Sequence, residues 1–287
     1  MTKQTVKIPK KGYAIHIGLN YVEPTHYDGW NGQLTACEND ARDMADLSKS
    51  QGFSTIKTLL RKTATRDNVI KELNNAAKKL KNEDLFLLTY SGHGGKLPDK
   101  NGDERDHQDE TWCLFDGEIV DDELFYAYTQ FAEGVRIVVL SDSCHSGTVT
   151  RAANYVQKLE NVGKRYRSMP KHVALRTYTT NKTFYDKILS NPVLKESNPF
   201  SKKYNSKLKA TVRLLSGCQD NQESSDGDFN GLFTATLLEV WNAGTFEGTY
   251  SQLMRKILRL MPSDQTPNHY LIGKHNSVFN SENAFTI

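Results

Sequence analysis

Cys144 stands near the end of VLSDSCHSG, just past an apolar run and among small or polar residues. A thiol is a weak nucleophile until a nearby imidazole or positive field favours its ionised form. His93 supplies an imidazole in a matching setting, following the apolar run of LFLLTYSGHGG 51 positions earlier. Either residue alone reads as structural, since an isolated cysteine is most often a small core residue. Together, each past an apolar strand and beside glycines, they read as nucleophile and proton carrier. Gly92, Gly94 and Gly95 leave room for a substrate backbone, and the Gly94 amide can join that of Cys144 in holding a developing oxyanion. His145 is a rival base, but adjacent residues of a strand point to opposite sides.

The elements that must position these groups follow from periodicity. Tyr13–Leu19 reads as a strand, and ENDARDMADLSKSQ as a helix closed by Gly52. FSTIKTLL is a short strand, and TRDNVIKELNNAAKKLK puts Val69, Leu73, Ala76 and Leu80 on one helical face with Thr65 as its cap. DLFLLTYSG and RIVVLSD are almost wholly apolar, as expected of parallel strands covered on both faces. GGKLPDKNGDERDHQDE reads as a long polar loop, TWCLFDG as a strand and VDDELFYAYTQF as a helix. ATVRLLSGC, GLFTATLLEVWN, TYSQLMRKILRLM and HYLIG then read as strand, helix, helix and strand. The fold class expected is α/β, a doubly wound, mostly parallel central sheet flanked by helices. In such sheets the functional crevice lies beyond the carboxyl ends of the strands, where His93 and Cys144 would share one rim.

The 287 residues can bury a sizeable core, and 37% hydrophobic with 25% charged residues describe an ordinary globular protein. The amino terminus carries only the short run YAIHIGL, so neither a signal peptide nor a membrane span fits, and a cytoplasmic location is expected. Cysteines at 37, 113, 144 and 218 lack CxxC spacing, which argues against a zinc site and a disulfide framework. The net charge of +3 hides an asymmetry: residues 151–210 hold 14 Lys or Arg against 3 Asp or Glu, a net of +11, leaving −8 elsewhere. With no nucleic-acid-binding module, this stretch reads as a solvated linker or insertion, and no nucleic-acid partner is expected.

The motifs YSGHGG (90–95), DSCHSGT (142–148), CENDARDM (37–44), VDDEL (120–124) and LSGCQDNQ (215–222) resemble those of caspase-like cysteine peptidases, in the metacaspase and bacterial orthocaspase branch. The resemblance covers about residues 13–262 and leaves 151–210 unmatched. The spacing from His to Cys fits the caspase arrangement of roughly 50 residues, while the caspase QAC is replaced by DSC. The resemblance implies a caspase-like sandwich and a His93–Cys144 dyad that forms an acyl-enzyme on protein or peptide substrates. It implies a single domain over 1–287, with 1–150 and 211–287 corresponding to large and small subunits around 151–210, and a monomer.

The DSC replacement has a chemical consequence. Residues two apart on a strand face the same way, setting Asp142 beside Cys144 and Ser91 beside His93. A carboxylate there pairs with a substrate Arg or Lys and repels Asp. By the resemblance, Asp142, Asp40 and Ser91 line the pocket for the residue before the cleaved bond. Alternatively, Asp142 orients His93 or caps a turn. Many metacaspases bind an activating calcium through acidic residues, matched here by Asp109, Asp121 and Asp122, whereas a further aspartate after the Cys is missing and Arg151 stands near its place. Calcium dependence is thus open in both directions. Asp99, Asn101, Asp103 and Glu110 fall at EF-hand positions, but Glu104 replaces the required glycine. A peptidase selecting Arg or Lys would also find bonds of its own in the basic stretch, at Arg151, Lys164, Arg165 or Arg167. The alternatives are a silent signalling scaffold, and a related peptidase with a non-basic preference.

Overall fold

A computed structural model describes residues 9–100, 102, 107–144, 165–198, 201–218 and 225–287. In chain order the strands are β1 (Gly12–Gly18), β2 (Thr55–Leu60), β3 (Leu85–Ser91), β4 (Gly94–Pro98), β5 (Gln108–Leu114) and β6 (Gly117–Val120). They continue as β7 (Arg136–Asp142), β8 (Arg165–Tyr166), β9 (Thr211–Ser216), β10 (Ser225–Asp226) and β11 (Asn268–Gly273). The helices are α1 (Cys37–Ser50), α2 (Arg66–Lys79), α3 (Asp121–Thr129), α4 (Lys171–Thr180) and α5 (Lys182–Leu189). After these come α6 (Lys202–Lys207), α7 (Leu232–Trp241), α8 (Tyr250–Leu260) and α9 (Ser277–Ser281).

The central sheet has the order β11-β9-β7-β3-β1-β2, with β11 alone antiparallel to its neighbour. Every residue of β1 and β3 is buried, because helices cover both faces. Alternation divides each strand between two cores. Ile15, Phe86, Leu88, Ile137 and Val139 pack with Val69, Leu73 and Ala76 of α2. Ala14, Leu85, Leu87, Val138 and Leu140 pack with Met44 and Leu47 of α1, Phe233 and Leu237 of α7, and Leu253 and Ile257 of α8. The expected doubly wound α/β sandwich is the observed one.

Local chemistry sets the element ends. Thr65 accepts a hydrogen bond from the Asn68 amide and starts α2. Gly52, at φ +77°, ends the turn after α1 in the left-handed region that glycine adopts at least cost. At the end of β1, a Cβ on Gly18 would lie 2.3 Å from the Cys37 carbonyl oxygen, so α1 seats directly on that strand.

Two expectations change. The stretch 94–110 is not wholly loop: β4 pairs antiparallel with β5, and β5 with β6, in a separate three-stranded sheet. Its glycines and charges hid a strand that buries only part of its length, with Lys96 and Pro98 outside the core. The stretch 151–210, expected to be a solvated linker or insertion, contains α4, α5 and α6, which bury Val173, Tyr185, Leu189 and Tyr204 while their lysines face solvent. Among the described residues no helix is long and apolar enough to cross a membrane.

Glu118 of β6 is fully buried, and Thr111 Oγ1 donates to its Oε2 while Oε1 has no hydrogen-bond partner. Burial pushes its carboxyl up to about 7 from 4.5, so between those values the folded state keeps a proton that the unfolded chain releases. Its contribution to stability is complete below about pH 4.5 and is lost as pH rises through about 7. Relative to the parent, Glu118→Gln is expected to gain up to about 3 kcal/mol across that window. Denaturant unfolding of both proteins over the same pH series measures it, and a pH-independent difference contradicts it.

Candidate active site

β3 and β7 are parallel neighbours in the register Ser91↔Asp142, which are the last residues of the two strands. His93 and Cys144 therefore follow on the same rim, each two residues beyond its strand. The His93 backbone is pinned: its carbonyl accepts from Tyr90 Oη at 2.7 Å and from the Cys113 amide at 2.9 Å. Tyr90 is in turn stacked on Trp112, with ring centroids 4.5 Å apart and planes 6° from parallel.

The His93 ring is pinned as well. Nε2 lies 3.0 Å from the Gly32 carbonyl oxygen, and Trp30 packs against the ring at 4.7 Å. A carbonyl can only accept, so the Nε2 proton is fixed and the lone pair of the neutral ring sits on Nδ1. Nδ1 is buried with no hydrogen-bond partner. Gly32 has φ +55°, and a Cβ there would come within 2.9 Å of the His93 ring. Burial pushes the imidazole down to about 4, opposed by the hydrogen bond to the Gly32 backbone. The ring is a neutral base.

Cys144 is fully buried, with Sγ 2.9 Å from Cys218 Sγ, and Cys218 Sγ lies 3.3 Å from the Ser143 carbonyl oxygen. None of the four cysteines is in a disulfide. The Cys144 amide donates to the Arg167 carbonyl at 3.1 Å, and the Gly94 amide donates to the same oxygen at 2.9 Å. Two amides expected to serve one oxyanion thus converge on one oxygen, and it belongs to this chain.

The Arg167 side chain is fully buried among carboxylates. Its Nη1 donates to Ser91 Oγ at 2.8 Å and lies 3.0 Å from Asp142 Oδ2. Its Nη2 reaches Asp40 Oδ2 at 2.7 Å and Asp226 Oδ1 at 3.0 Å. Each carboxylate is held independently: Asp142 Oδ2 by the Thr234 amide and hydroxyl, Asp40 Oδ1 by Asn230 and the Gly231 amide, and Asp226 Oδ2 by the amide and hydroxyl of Thr35. A Cβ on Gly231 would lie 2.3 Å from the guanidinium, so glycine there is part of the slot's shape. Burial works against the Arg167 charge, but Asp142, Asp40 and Asp226 hold the guanidinium firmly protonated. Burial raises Asp40, with Arg167 opposing and Asp142 adding to the rise.

Asp40, Ser91 and Asp142 are thus brought together as the sequence suggests, but not by alternation along one strand. Cys144 and His93 lie past the strand ends, and the Ser91↔Asp142 register joins the carboxylate and the hydroxyl. The Asp142 carboxylate faces Arg167 and Thr234, while the Gly32 carbonyl takes the Nε2 side of His93, so a triad in which Asp142 orients His93 is not what forms. Sequence reasoning gave Asp226, Gly231, Thr234 and Gly32 no role at the site, and marked Cys218 only as part of LSGCQDNQ. His16 is a core histidine between Thr89 and Ser48, and Cys37 opens α1 in the interior. His145 and Arg151, and Asn101, Asp103 and Glu104 of the EF-hand-like pattern, lie outside the described residues. Among the described residues no group of three or more His, Cys, Asp or Glu side chains is placed to hold a metal ion.

Residues 11–283 match the family described as the caspase domain. The chain is 30% identical over 249 residues to Metacaspase-1 of Kluyveromyces lactis, covering 78% of this chain and 56% of that protein. Against Metacaspase-1 of Saccharomyces cerevisiae it is 30% identical over 251 residues, with the same coverage. The chain therefore spans about half the length of these relatives. The crystal structure of protein GSU0716 from Geobacter sulfurreducens superposes with a TM-score of 0.86 at 49% identity, covering 96% of this chain and 99% of that one. Caspase-1 from Spodoptera frugiperda, at 12% identity and a TM-score of 0.53 over 96% of this chain and 92% of that one, shares the fold. The chain belongs to the caspase-domain family of cysteine peptidases, on its metacaspase branch.

Proposed function

We propose that the chain is a cysteine endopeptidase that cuts protein or peptide substrates after arginine or lysine, with Cys144 as nucleophile and His93 Nδ1 as proton carrier. One observation carries this reading: a guanidinium lies among Asp40, Asp142 and Asp226 while the carbonyl of the same residue accepts from the Gly94 and Cys144 amides. An arginyl substrate in that position presents its carbonyl carbon to the thiol, and the oxyanion forms where two donors already point. Three buried carboxylates require a cation, and an aspartyl side chain would bring a fourth negative charge into the slot. Lysine fits the same charge with fewer donors, so arginine is favoured.

Fluorogenic peptides differing only in the residue before the cleaved bond test this reading. Arg and then Lys substrates are expected to be hydrolysed, Asp and Asn substrates not, and Cys144→Ala is expected to be inactive. Asp142→Ala is expected to lower kcat/KM on the Arg peptide by about a hundredfold or more, because truncating one side of a buried charge pair costs ~2–5 kcal/mol. An Asp142→Ala enzyme as fast as the parent removes the pocket role. No hydrolysis of any peptide by the parent favours a silent scaffold.

Gly231→Ala is expected to reduce Arg-peptide turnover at least about tenfold by overfilling the slot. Unchanged kinetics contradict the seat described for the guanidinium. kcat/KM measured before and after treatment with a calcium chelator tests the calcium site that the resemblance implies at Asp109, Asp121 and Asp122: a loss restored by added calcium supports it, and unchanged kinetics count against it.

A further inference from the structure

We infer that Cys144 and Cys218 form a peroxide-reactive thiol pair: a hydroperoxide oxidises Cys144, Cys218 resolves the product as a disulfide, and a dithiol reductant returns the nucleophile. The inference rests on the reading of Cys144 as nucleophile and adds a modification site that peptide hydrolysis does not use. The two sulfurs lie 2.9 Å apart, although the residues are 74 positions apart in the chain. A disulfide, at about 2.05 Å between sulfurs, needs them to close by less than an ångström.

The sheet brings the pair together and holds it. β7 and β9 are parallel neighbours with Ser141 opposite Ser216, and the cysteines follow three and two residues later. The Gly217 amide donates to the Ser141 carbonyl at 2.8 Å, Gln265 Nε2 to the Gly217 carbonyl at 3.0 Å, and Ser216 Oγ to the Cys218 carbonyl at 3.0 Å. The Cys218 thiol has one proton, which it donates to the Ser143 carbonyl at 3.3 Å. A sulfur lone pair is then left facing Cys144, and that is the electron pair a new S–S bond needs. Cys37 and Cys113 are fully buried, and burial pushes both thiols up, away from the thiolate form that attacks a peroxide. Cys144 is buried too, but a cleft that admits a peptide to this sulfur also admits a hydroperoxide. An oxidised nucleophile with no second thiol beside it proceeds to sulfinic acid, which dithiols do not reverse.

With hydrogen peroxide as the oxidant, the step balances. The Cys144 proton passes to His93 Nδ1, and the thiolate attacks one peroxide oxygen. An S–O bond forms as the O–O bond breaks, and the departing hydroxide takes the proton from His93 and leaves as water. Cys218 Sγ then attacks the sulfenic sulfur. The S–S bond forms, the S–O bond breaks, and the second hydroxide leaves as water with the Cys218 proton. Two thiols have given up two electrons, and the peroxide has taken them. A dithiol reverses this by thiolate attack on the disulfide, and is itself left as a disulfide. While the S–S bond stands, Cys144 has no nucleophile to offer and the ends of β7 and β9 are covalently joined.

Hydrogen peroxide in small molar excess over the full chain tests this, read by intact mass, by peptide mapping without reductant and by hydrolysis of an Arg peptide. The wild type is expected to become lighter by two hydrogens, to yield a peptide joining Cys144 to Cys218, and to lose at least about tenfold in activity, all reversed by dithiothreitol. Cys218→Ser, compared with its own untreated sample, is expected to gain two or three oxygens at Cys144 and to regain less than about a tenth of its lost activity with dithiothreitol. Oxidation of wild-type Cys144 to a sulfinic acid with no link to Cys218, or a Cys218→Ser enzyme that dithiothreitol restores as fully as the parent, overturns the inference. Mapping of the wild type needs neither the variant nor turnover, so the two readings are separable. A chain that hydrolyses Arg peptides but never forms the link overturns the pair and spares the endopeptidase. One that forms the link but hydrolyses no peptide supports the pair and removes the endopeptidase reading.

Discussion

One guanidinium among three buried carboxylates is the interaction on which the site depends. Asp40, Asp142 and Asp226 are each almost completely excluded from water, so their mutual repulsion is poorly screened. Left with no cation, such a cluster would take up protons or admit water, since unpaired buried charge is costly. A planar, permanently charged group with five donors answers it better than any other side chain. The amides of Thr35, Gly231 and Thr234 and the hydroxyls of Thr35 and Thr234 hold the carboxylates from behind, so their positions do not rely on the guanidinium alone.

The fold makes this cluster by bringing chain segments that are distant in sequence to one sheet edge. α1 delivers Asp40, β3 ends at Ser91, β7 ends at Asp142, and β10 contributes Asp226. The parallel register of β3 and β7 then fixes where the next residues of each strand emerge, which sets His93 and Cys144 on the same rim. The carboxyl ends of parallel strands are where an open α/β sheet places its crevice, and here two of the most deeply buried strands supply it. The acidic slot and the thiol are therefore consequences of one piece of packing. Gly231 completes it, with the missing side chain being the space the guanidinium fills.

Much of this was legible in the chain. Long apolar strands and the 3.6-residue spacing of α2 and α8 report burial on one or both sides, so their existence and order could be read directly. The two-residue strands β8 and β10 carry no periodicity, and β4 begins with two glycines inside a charged stretch. His93, Cys144 and Asp142 stood out because they follow apolar runs, whereas Asp40 was marked only by the family resemblance. Asp226 did not, since in SSDGDFN it looks like any loop acid, and its role comes from the pairing of β10 with β8. Arg167 was one of 14 basic residues in its stretch, and nothing local separates it from the others. Its distinction is positional, as is that of Gly32, whose carbonyl sets the His93 tautomer.

The central claim is that charge, and not shape alone, selects what enters the slot. Comparing kcat/KM for two peptides identical except for arginine and its neutral isostere citrulline before the cleaved bond isolates that charge. The account predicts a loss of about a hundredfold or more for citrulline, the scale of an unpaired buried carboxylate cluster. Equal rates for the two peptides would contradict it.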